Sequence, residues 1–279
     1  SIGPFTVYGY GLMIGIGIIA AYLTAESRAK KLKLDPEKIF GLVLWCLIFG
    51  YLGSKILYCI TVIDEIIADP AFILHSLQNG WVVYGGLIGG ILGGYLYCRH
   101  KKVNFLSYFD LAVPSVALAQ GFGRIGCFLA GCCYGRETES PLGITFTHSD
   151  FAPNGVALIP TQEISSLLNF VNFFILINIA KRKKAEGQVG AFYLIFYSIG
   201  RFILEFYRGD LGRGSVGSLS TSQFIAIFTL IAGIILVIVS QMLANKGVKA
   251  FRVGPGGTAW QAEPESAEAG EAASAAENK

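Results

Sequence analysis

The hydrophobic positions of this chain fall in long continuous runs, without the alternation typical of β-strands. A hydropathy scan predicts seven spans, at Tyr8–Thr24, Ile39–Ile60, Trp81–Tyr97, Tyr108–Cys127, Ile164–Ala180, Val189–Phe206 and Ser222–Leu243. Each span is close to the roughly 20 residues that a helix needs to cross about 30 Å of hydrocarbon. Because lipid offers the backbone no hydrogen-bond partners, such runs predict helices, and their lack of alternation excludes a β-barrel. The pattern predicts an all-α integral membrane protein, a bundle of about seven transmembrane helices.

Composition agrees with a membrane protein and separates the tail from the bundle. Of 279 residues, 53% are hydrophobic and only 15% are charged, whereas soluble domains have about a quarter charged residues. From Gly254 to Lys279 the chain is mostly Gly, Ala, Glu and Ser with no apolar periodicity, a composition typical of disorder. We therefore expect a transmembrane domain at residues 1–245 and a disordered cytoplasmic tail at 246–279.

The distribution of basic residues predicts the orientation. Fifteen lysines and arginines lie in four clusters, at residues 28–38, 99–102, 181–184 and 246–252. Because the first three clusters are in alternate loops and the fourth follows the last span, all four are expected on the same side of the membrane. The opposite loops carry only Arg136, Arg208 and Arg213. By the positive-inside rule, the N-terminus is expected outside and the C-terminus in the cytoplasm.

The charged residues Lys55, Arg124, Arg201 and Glu205 lie inside the predicted spans or at their ends. A charge at the centre of a membrane costs at least about 2.5–3.5 kcal/mol, so such residues pair, snorkel or face a wet cavity. Arg201 and Glu205 are spaced to share one helix face, which a simple ion pair would explain. Arg124 has no carboxylate within a helical turn on its own segment, so a cationic cavity for an anionic headgroup is the sharper interpretation.

Glycines and cysteines cluster around Arg124. The run Gly121–Gly126 with Gly131 and Gly135 has no preceding strand or ribose-binding acid, which excludes a dinucleotide fingerprint. A second run, Gly85–Gly90, suits close helix packing. Cys127, Cys132 and Cys133 lie close together near the predicted outer face, and oxidation is possible there. No histidine has a spacing that would complete a metal site, so we expect no metal.

Several motifs together resemble the prolipoprotein diacylglyceryl transferase family. The strongest is Gly123-Arg124-Ile125-Gly126-Cys127-Phe128, followed by Gly131 and Tyr134-Gly135-Arg136. The others are Tyr10-Gly11-Leu12, Gly53-Ser54-Lys55, Tyr84-Gly85-Gly86-Leu87-Ile88-Gly89, Pro160-Thr161-Gln162, Tyr197 with Arg201–Arg208, and Gly217 with Leu219-Ser220 and Gln223. Each motif is weak alone, but their shared order over roughly residues 4–243 is specific.

The resemblance implies a multi-pass enzyme of the bacterial plasma (inner) membrane with its active site toward the outer face. It would transfer the diacylglyceryl group of phosphatidylglycerol to the lipobox cysteine of a prolipoprotein signal peptide, leaving a thioether and glycerol phosphate. It implies catalytic roles for Arg124, Arg201, Glu205 and Tyr84. Substrate-binding roles fall to Tyr10, Lys55, Gly85, Gly86, Gly126, Cys127, Cys132, Gly135, Gln162, Tyr197 and Arg208. We expect no cofactor and no nucleic-acid partner.

Three positions depart from the family pattern. Tyr84 stands where the family usually has His, Cys127 where it has Asn, and Cys132 where it has Glu. Tyrosine, with an ordinary pKa of about 10, is a poor base at neutral pH. The chain is therefore either a divergent branch with the same reaction or a related transferase with another acceptor. A lipid-binding or transport protein is the non-catalytic alternative, although no inverted repeat supports it.

Overall fold

The computed structural model describes residues 9–73, 80–210, 214–254 and 257–259, and this part of the chain is mostly helical. Its helices are α1 (Gly9–Lys31), α2 (Glu37–Thr61), α3 (Ile63–Ala68), α4 (Val83–His100), α5 (Phe105–Leu129), α6 (Thr161–Arg182), α7 (Gln188–Glu205), α8 (Thr221–Asn245) and a 3₁₀ turn, Lys249–Phe251. Two antiparallel pairs of two-residue strands complete it, β1 (Ile144–Thr145) with β2 (Ala157–Leu158) and β3 (Ser215–Val216) with β4 (Leu219–Ser220).

Five of the described helices, α1, α2, α5, α6 and α8, are long and apolar enough to cross a membrane. The two other predicted spans coincide with α4 and α7, which have 18 residues each. Glycines and tyrosines dilute the apolar character of both helices, and each ends in charged or polar residues. The structure confirms an all-α membrane protein, while the count of seven spans and the orientation stay predictions. Tyr8, the first residue of the first predicted span, lies outside the described residues.

The helices pack mainly in pairs, α2 with α4, α1 with α5, α5 with α6 and α7 with α8. Glycines allow α2 and α4 to touch through their backbones. A Cβ atom on Gly53 would collide with the carbonyl of Gly85, and one on Gly93 would lie 2.7 Å from the carbonyl oxygen of Trp45. The glycine run of α4 is therefore a helix-packing surface, as small residues commonly are in membranes.

A buried ionic cluster joins α5 to the start of α7. Asp110 accepts hydrogen bonds from the backbone N–H groups of Gly187 at 2.9 Å and Gly190 at 3.0 Å, which are donors left free at a helix N-terminus. Lys183 lies 3.2 Å from Asp110 and also pairs with Glu186, and all three side chains are at most 3% exposed. This cluster fixes the α6–α7 connection against the first turns of α5.

The loops that carry the basic clusters meet at one end of the bundle, and the residues after α8 bind there. Asn104 Nδ2 donates to the carbonyl of Ala250 at 2.8 Å, and the N–H of Glu186 donates to Phe251 at 3.0 Å. The N–H of Ala259 donates to the carbonyl of Leu32 at 2.9 Å. The other residues of the predicted disordered tail, 255, 256 and 260–279, lie outside those described.

Candidate active site

A cavity of about 700 Å³ lies between α5, α6, α7 and the connection from α5 to α6. Its walls are largely apolar, with Leu168 and Ile175 from α6 and Ile203 from α7. Three of the predicted site residues line it, namely Arg124 from α5 and Tyr197 and Arg201 from α7. A mostly apolar cavity of this size with a few convergent polar groups is typical of a small-molecule site.

Arg201 is held in place by two polar contacts. Its guanidinium lies 2.8 Å from the carboxylate of Glu205, and it donates a hydrogen bond to the Ser222 hydroxyl at 2.7 Å. The side chains of Arg201 and Glu205 are only 14% and 8% exposed. The predicted i, i+4 ion pair is thus confirmed, and it fixes one positive group at the cavity wall.

Arg124 also lines the cavity, but it has no carboxylate partner among the described residues. The groups within its electrostatic reach include Tyr197, Cys127, Cys133 and the cationic Arg208. A partly buried arginine in a largely apolar cavity, without a carboxylate partner among the described residues, favours an anionic ligand, because desolvated charge is costly unless it is paired. The guanidinium therefore presents a positive charge to the cavity on one side and to a group of cysteines on the other.

Cys127, Cys132 and Cys133 form a cluster, which we call the thiol cluster, whose Sγ atoms lie within 4.8 Å of one another. The end of α5 creates it. The N–H of Gly131 bonds to the carbonyl of Phe128 at 2.9 Å, and the N–H of Cys132 bonds to the carbonyl of Cys127 at 3.1 Å. With Gly131 at φ +68°, this is a Schellman motif, which folds the chain back over the last helical turn.

Neighbouring side chains hold the thiol cluster in place. Gln162 Nε2 donates to the carbonyl of Cys132 at 2.9 Å, and Thr161 Oγ1 donates to the carbonyl of Cys133 at 3.0 Å. Hydrogen bonds with the Cys127 and Cys132 thiols and with the guanidinium of Arg208 lower the pKa of Cys133. Arg208, which is 7% exposed, also forms a two-pronged contact with Asp210 at 2.6 and 2.8 Å.

The predicted residues Tyr10, Gly126 and Gly135 surround this cluster. A Cβ atom on Gly126 would lie 3.2 Å from the ring of Tyr10, so the glycine allows α1 to approach α5. The Tyr10 hydroxyl is within electrostatic reach of all three thiols. Gly135 pairs with Arg208 in a β-bridge, which attaches the α5–α6 connection to the segment after α7.

The predicted residues Lys55, Tyr84, Gly85 and Gly86 are not among those that line the cavity. The ammonium of Lys55 donates to the carbonyl of Gly80 at 3.0 Å and lies 4.0 Å from the centre of the Trp81 ring. Gly85 and Gly86 face α2. The substrate-site roles implied for these four residues stay predictions.

Sequence reasoning did not single out Asn169 and Asn172, although both amides line the cavity from α6. The Oδ1 atom of Asn172 is buried without a hydrogen-bond partner among the described residues. The available signal was two amides at i, i+3 spacing within an apolar span, since such polar groups are uncommon in lipid. The two histidines in the described part of the chain give no such signal, because His148 is exposed beside Thr147 and His100 stacks on Trp45.

Comparison with known proteins places residues 1–239 within the model of the prolipoprotein diacylglyceryl transferase family. A phosphatidylglycerol–prolipoprotein diacylglyceryl transferase of Clostridium tetani is 50% identical over 228 residues, 82% of this chain and 91% of the relative. One of Clostridium perfringens is 48% identical over 240 residues, 86% and 93% of the two chains. One of Finegoldia magna is 33% identical over 238 residues, 83% and 92% of the two chains.

Proposed function

The chain belongs to the prolipoprotein diacylglyceryl transferase family, and we propose that it transfers the diacylglyceryl group of phosphatidylglycerol to the lipobox cysteine thiol of a prolipoprotein signal peptide. The observation that carries this proposal is the position of Arg124. It lines a largely apolar cavity without a carboxylate partner among the described residues, and it lies within electrostatic reach of Cys127 and Cys133.

The cavity suits a phospholipid. Its apolar walls between α6 and α7 match acyl chains, while Arg124 and Arg201 match a phosphodiester, because a guanidinium can bind two oxygens at once. Asn169, Asn172 and Tyr197 supply hydrogen-bonding groups along the same wall. The lipid would lie with its phosphate between the arginines.

In the reaction, the acceptor cysteine attacks as a thiolate, since the thiol is a weak nucleophile. Its sulfur forms a bond to the glyceryl carbon that carries the phosphate. The bond from that carbon to the phosphate oxygen breaks, and its electron pair leaves with glycerol phosphate. Arg124 and Arg201 stabilise the charge that grows on the leaving oxygens, and Glu205 holds Arg201 in position.

We place the protein as a multi-pass protein of the bacterial plasma membrane, with seven spans, the N-terminus outside and the active site toward the outer face. Two observations support this placement. The basic loops meet near Asn104, whereas Arg124 lies near the opposite end of α5. The connection from α5 to α6, which contributes Thr138, Leu142 and Gly143 to the cavity, would receive the peptide from outside.

The test is a transfer assay on the purified full chain, with phosphatidylglycerol vesicles and a lipobox peptide. Mass spectrometry should show a diacylglyceryl mass gain on the peptide cysteine, and a peptide with Ser at that position should show none. Arg124→Ala and Arg201→Ala should lose the gain, whereas Arg99→Ala, at the far end of α4, should keep it. Lipid consumption without peptide modification would indicate another acceptor, and no lipid turnover would overturn the transferase proposal.

A further inference from the structure

The thiol cluster has the geometry of a metal site. Zinc–sulfur bonds of about 2.3 Å place the sulfurs of a tetrahedral site about 3.8 Å apart. The three Sγ atoms already lie within 4.8 Å of one another. Each sulfur–sulfur distance therefore needs to shorten by at most about 1 Å to match a zinc site, which small side-chain rotations can achieve. We propose that Cys127, Cys132 and Cys133 bind a zinc ion, whose open fourth position receives the thiol of the acceptor cysteine. The second half of this statement rests on the proposed function.

The expectation of no metal came from the lack of a histidine partner with suitable spacing. Thiolates need no such partner, because sulfur ligands alone form many zinc sites. The sequence separates Cys127 from Cys132 and Cys133 by a helix end, and only the Schellman motif at Gly131 brings the three sulfurs together. Folding, not sequence spacing, creates the donor set.

The cluster is held in its shape by its surroundings, as a ligand set should be. Cys133 has φ +63°, a left-handed conformation that is costly for a residue with a Cβ atom. Hydrogen bonds from Gln162 and Thr161 to the carbonyls of Cys132 and Cys133 hold that turn. Two residues of the family motif Pro160-Thr161-Gln162 are thus used to position the cysteines.

Zinc is the metal that best fits the donors and the charges. Thiolates select soft metals, and zinc sites with a catalytic role combine three protein ligands with one open position. Three thiolates and one Zn²⁺ carry a net charge of −1. The guanidinium of Arg124, which has no carboxylate partner among the described residues, lies close enough to Cys127 and Cys133 to balance that charge, while Arg208 beside Cys133 is shared with Asp210. All three cysteines are only partly buried, so a fourth ligand can reach the metal.

A zinc ion would supply the deprotonation of the acceptor thiol. In the described ranges no histidine lines the cavity. A thiol that coordinates zinc is deprotonated outright. The acceptor thiol would bind as a thiolate and release its proton to solvent. Its sulfur would then attack the lipid beside Arg124, and the neutral thioether, a weaker ligand, would leave.

The first measurement is metal content. The full chain is produced in zinc-supplemented medium and purified in detergent under reducing conditions, without chelators and with a tag that does not bind metals. Elemental mass spectrometry should find about one zinc per chain, the stoichiometry of a single site. The triple variant C127A/C132A/C133A should fall to background. The matched control C46A/C59A/C98A removes three cysteines outside the cluster and should keep its zinc.

The second measurement needs no variant. Co²⁺ bound to the chain should show the intense visible absorption of a tetrahedral thiolate site. Addition of a lipobox peptide with Cys should change that spectrum, whereas the same peptide with Ser should not. Chelation of the metal should abolish transfer, and added zinc should restore it.

The outcomes separate the two proposals. Three results would each overturn the metal site. Wild-type protein could lack both zinc and the cobalt spectrum, it could hold a stoichiometric metal other than zinc, or both triple variants could hold equal zinc. Zinc with a spectrum indifferent to the peptide thiol would overturn its role in acceptor binding. A metal site that responds to the thiol without any lipid transfer would instead count against the proposed transferase.

Discussion

The carboxylate of Glu205 lies 2.8 Å from the guanidinium of Arg201, one helical turn earlier on α7. Both groups are nearly buried, and Arg201 lines the cavity. Breaking such a buried pair by removing one partner costs about 3–5 kcal/mol, because the remaining charge is left uncompensated. Glu205 therefore controls where the positive charge of Arg201 is presented.

Replacement of Glu205 by Gln should lower the rate of transfer at saturating lipid by about tenfold or more, with a smaller change in KM, because the misplaced arginine no longer meets the developing charge. Glu205→Asp should recover part of the rate. The exposed Glu65→Gln on α3 is the matched control. A mutant rate equal to wild type would show that the ion pair does not position Arg201.

Arg124 should be more sensitive to the shape of its side chain than to its charge alone. Removal of one preorganised donor to a developing negative charge typically costs about 10²–10³ in kcat, so Arg124→Ala should lose at least that much. Arg124→Lys should recover only a small part, because an ammonium cannot bind two oxygens in the fork geometry. Initial rates of peptide lipidation measure both effects, and full activity of Arg124→Lys would contradict two-oxygen binding.

Asp110 should matter for stability and not for chemistry, because it lies at the other end of α5 and accepts two N–H groups of the α7 start. Asp110→Ala leaves those two buried donors without their acceptor, which should cost about 1–3 kcal/mol for each, and leaves Lys183 with Glu186 as its remaining partner. The midpoint of thermal unfolding in detergent should fall clearly. The exposed Asp150→Asn should leave it unchanged, and a stable Asp110→Ala protein would contradict the capping role.

The sequence predicts those features of the structure that depend on residues close together along the chain. The helices follow from local hydropathy, and the Arg201–Glu205 pair follows from i, i+4 spacing, so both were predictable. Asp110 also lies within a predicted span, but its partners Lys183 and Glu186 come from a connection far along the chain. Such a partnership depends on helix packing, which hydropathy does not encode.

The candidate site shows the same limit. The motifs pointed to Arg124 and the cysteines, and the structure brings Arg124, Tyr197 and Arg201 to one cavity. The approach of three sulfurs depends on a left-handed residue after α5, which no hydropathy pattern reveals. Lys55 was singled out for its charge, and it contacts the Gly80 carbonyl and the ring of Trp81, which lie just before α4, the helix that packs against α2.

Glu186 should make the stability of the fold depend on pH. It lies in the connection between α6 and α7, and burial raises its pKa from 4.5 to about 7, a shift that Lys183 opposes. Between these two values the folded protein keeps the proton that the unfolded chain has lost. The contribution of Glu186 to stability should therefore be greatest below about pH 4.5 and should fall as the pH rises through about 7.

The expected loss in the free energy of unfolding is roughly 3 kcal/mol, because it follows from the difference between the pKa values of Glu186 in the unfolded and folded states. Glu186→Gln, which cannot ionise, should flatten the dependence of the unfolding midpoint on pH between about 5 and 8. Lys183 keeps Asp110 as a partner in this variant, so the fold is retained. Thermal unfolding in detergent across this range is the measurement, with Glu65→Gln as the control that keeps the wild-type slope. Equal slopes in Glu186→Gln and wild type would assign the pH dependence to other groups.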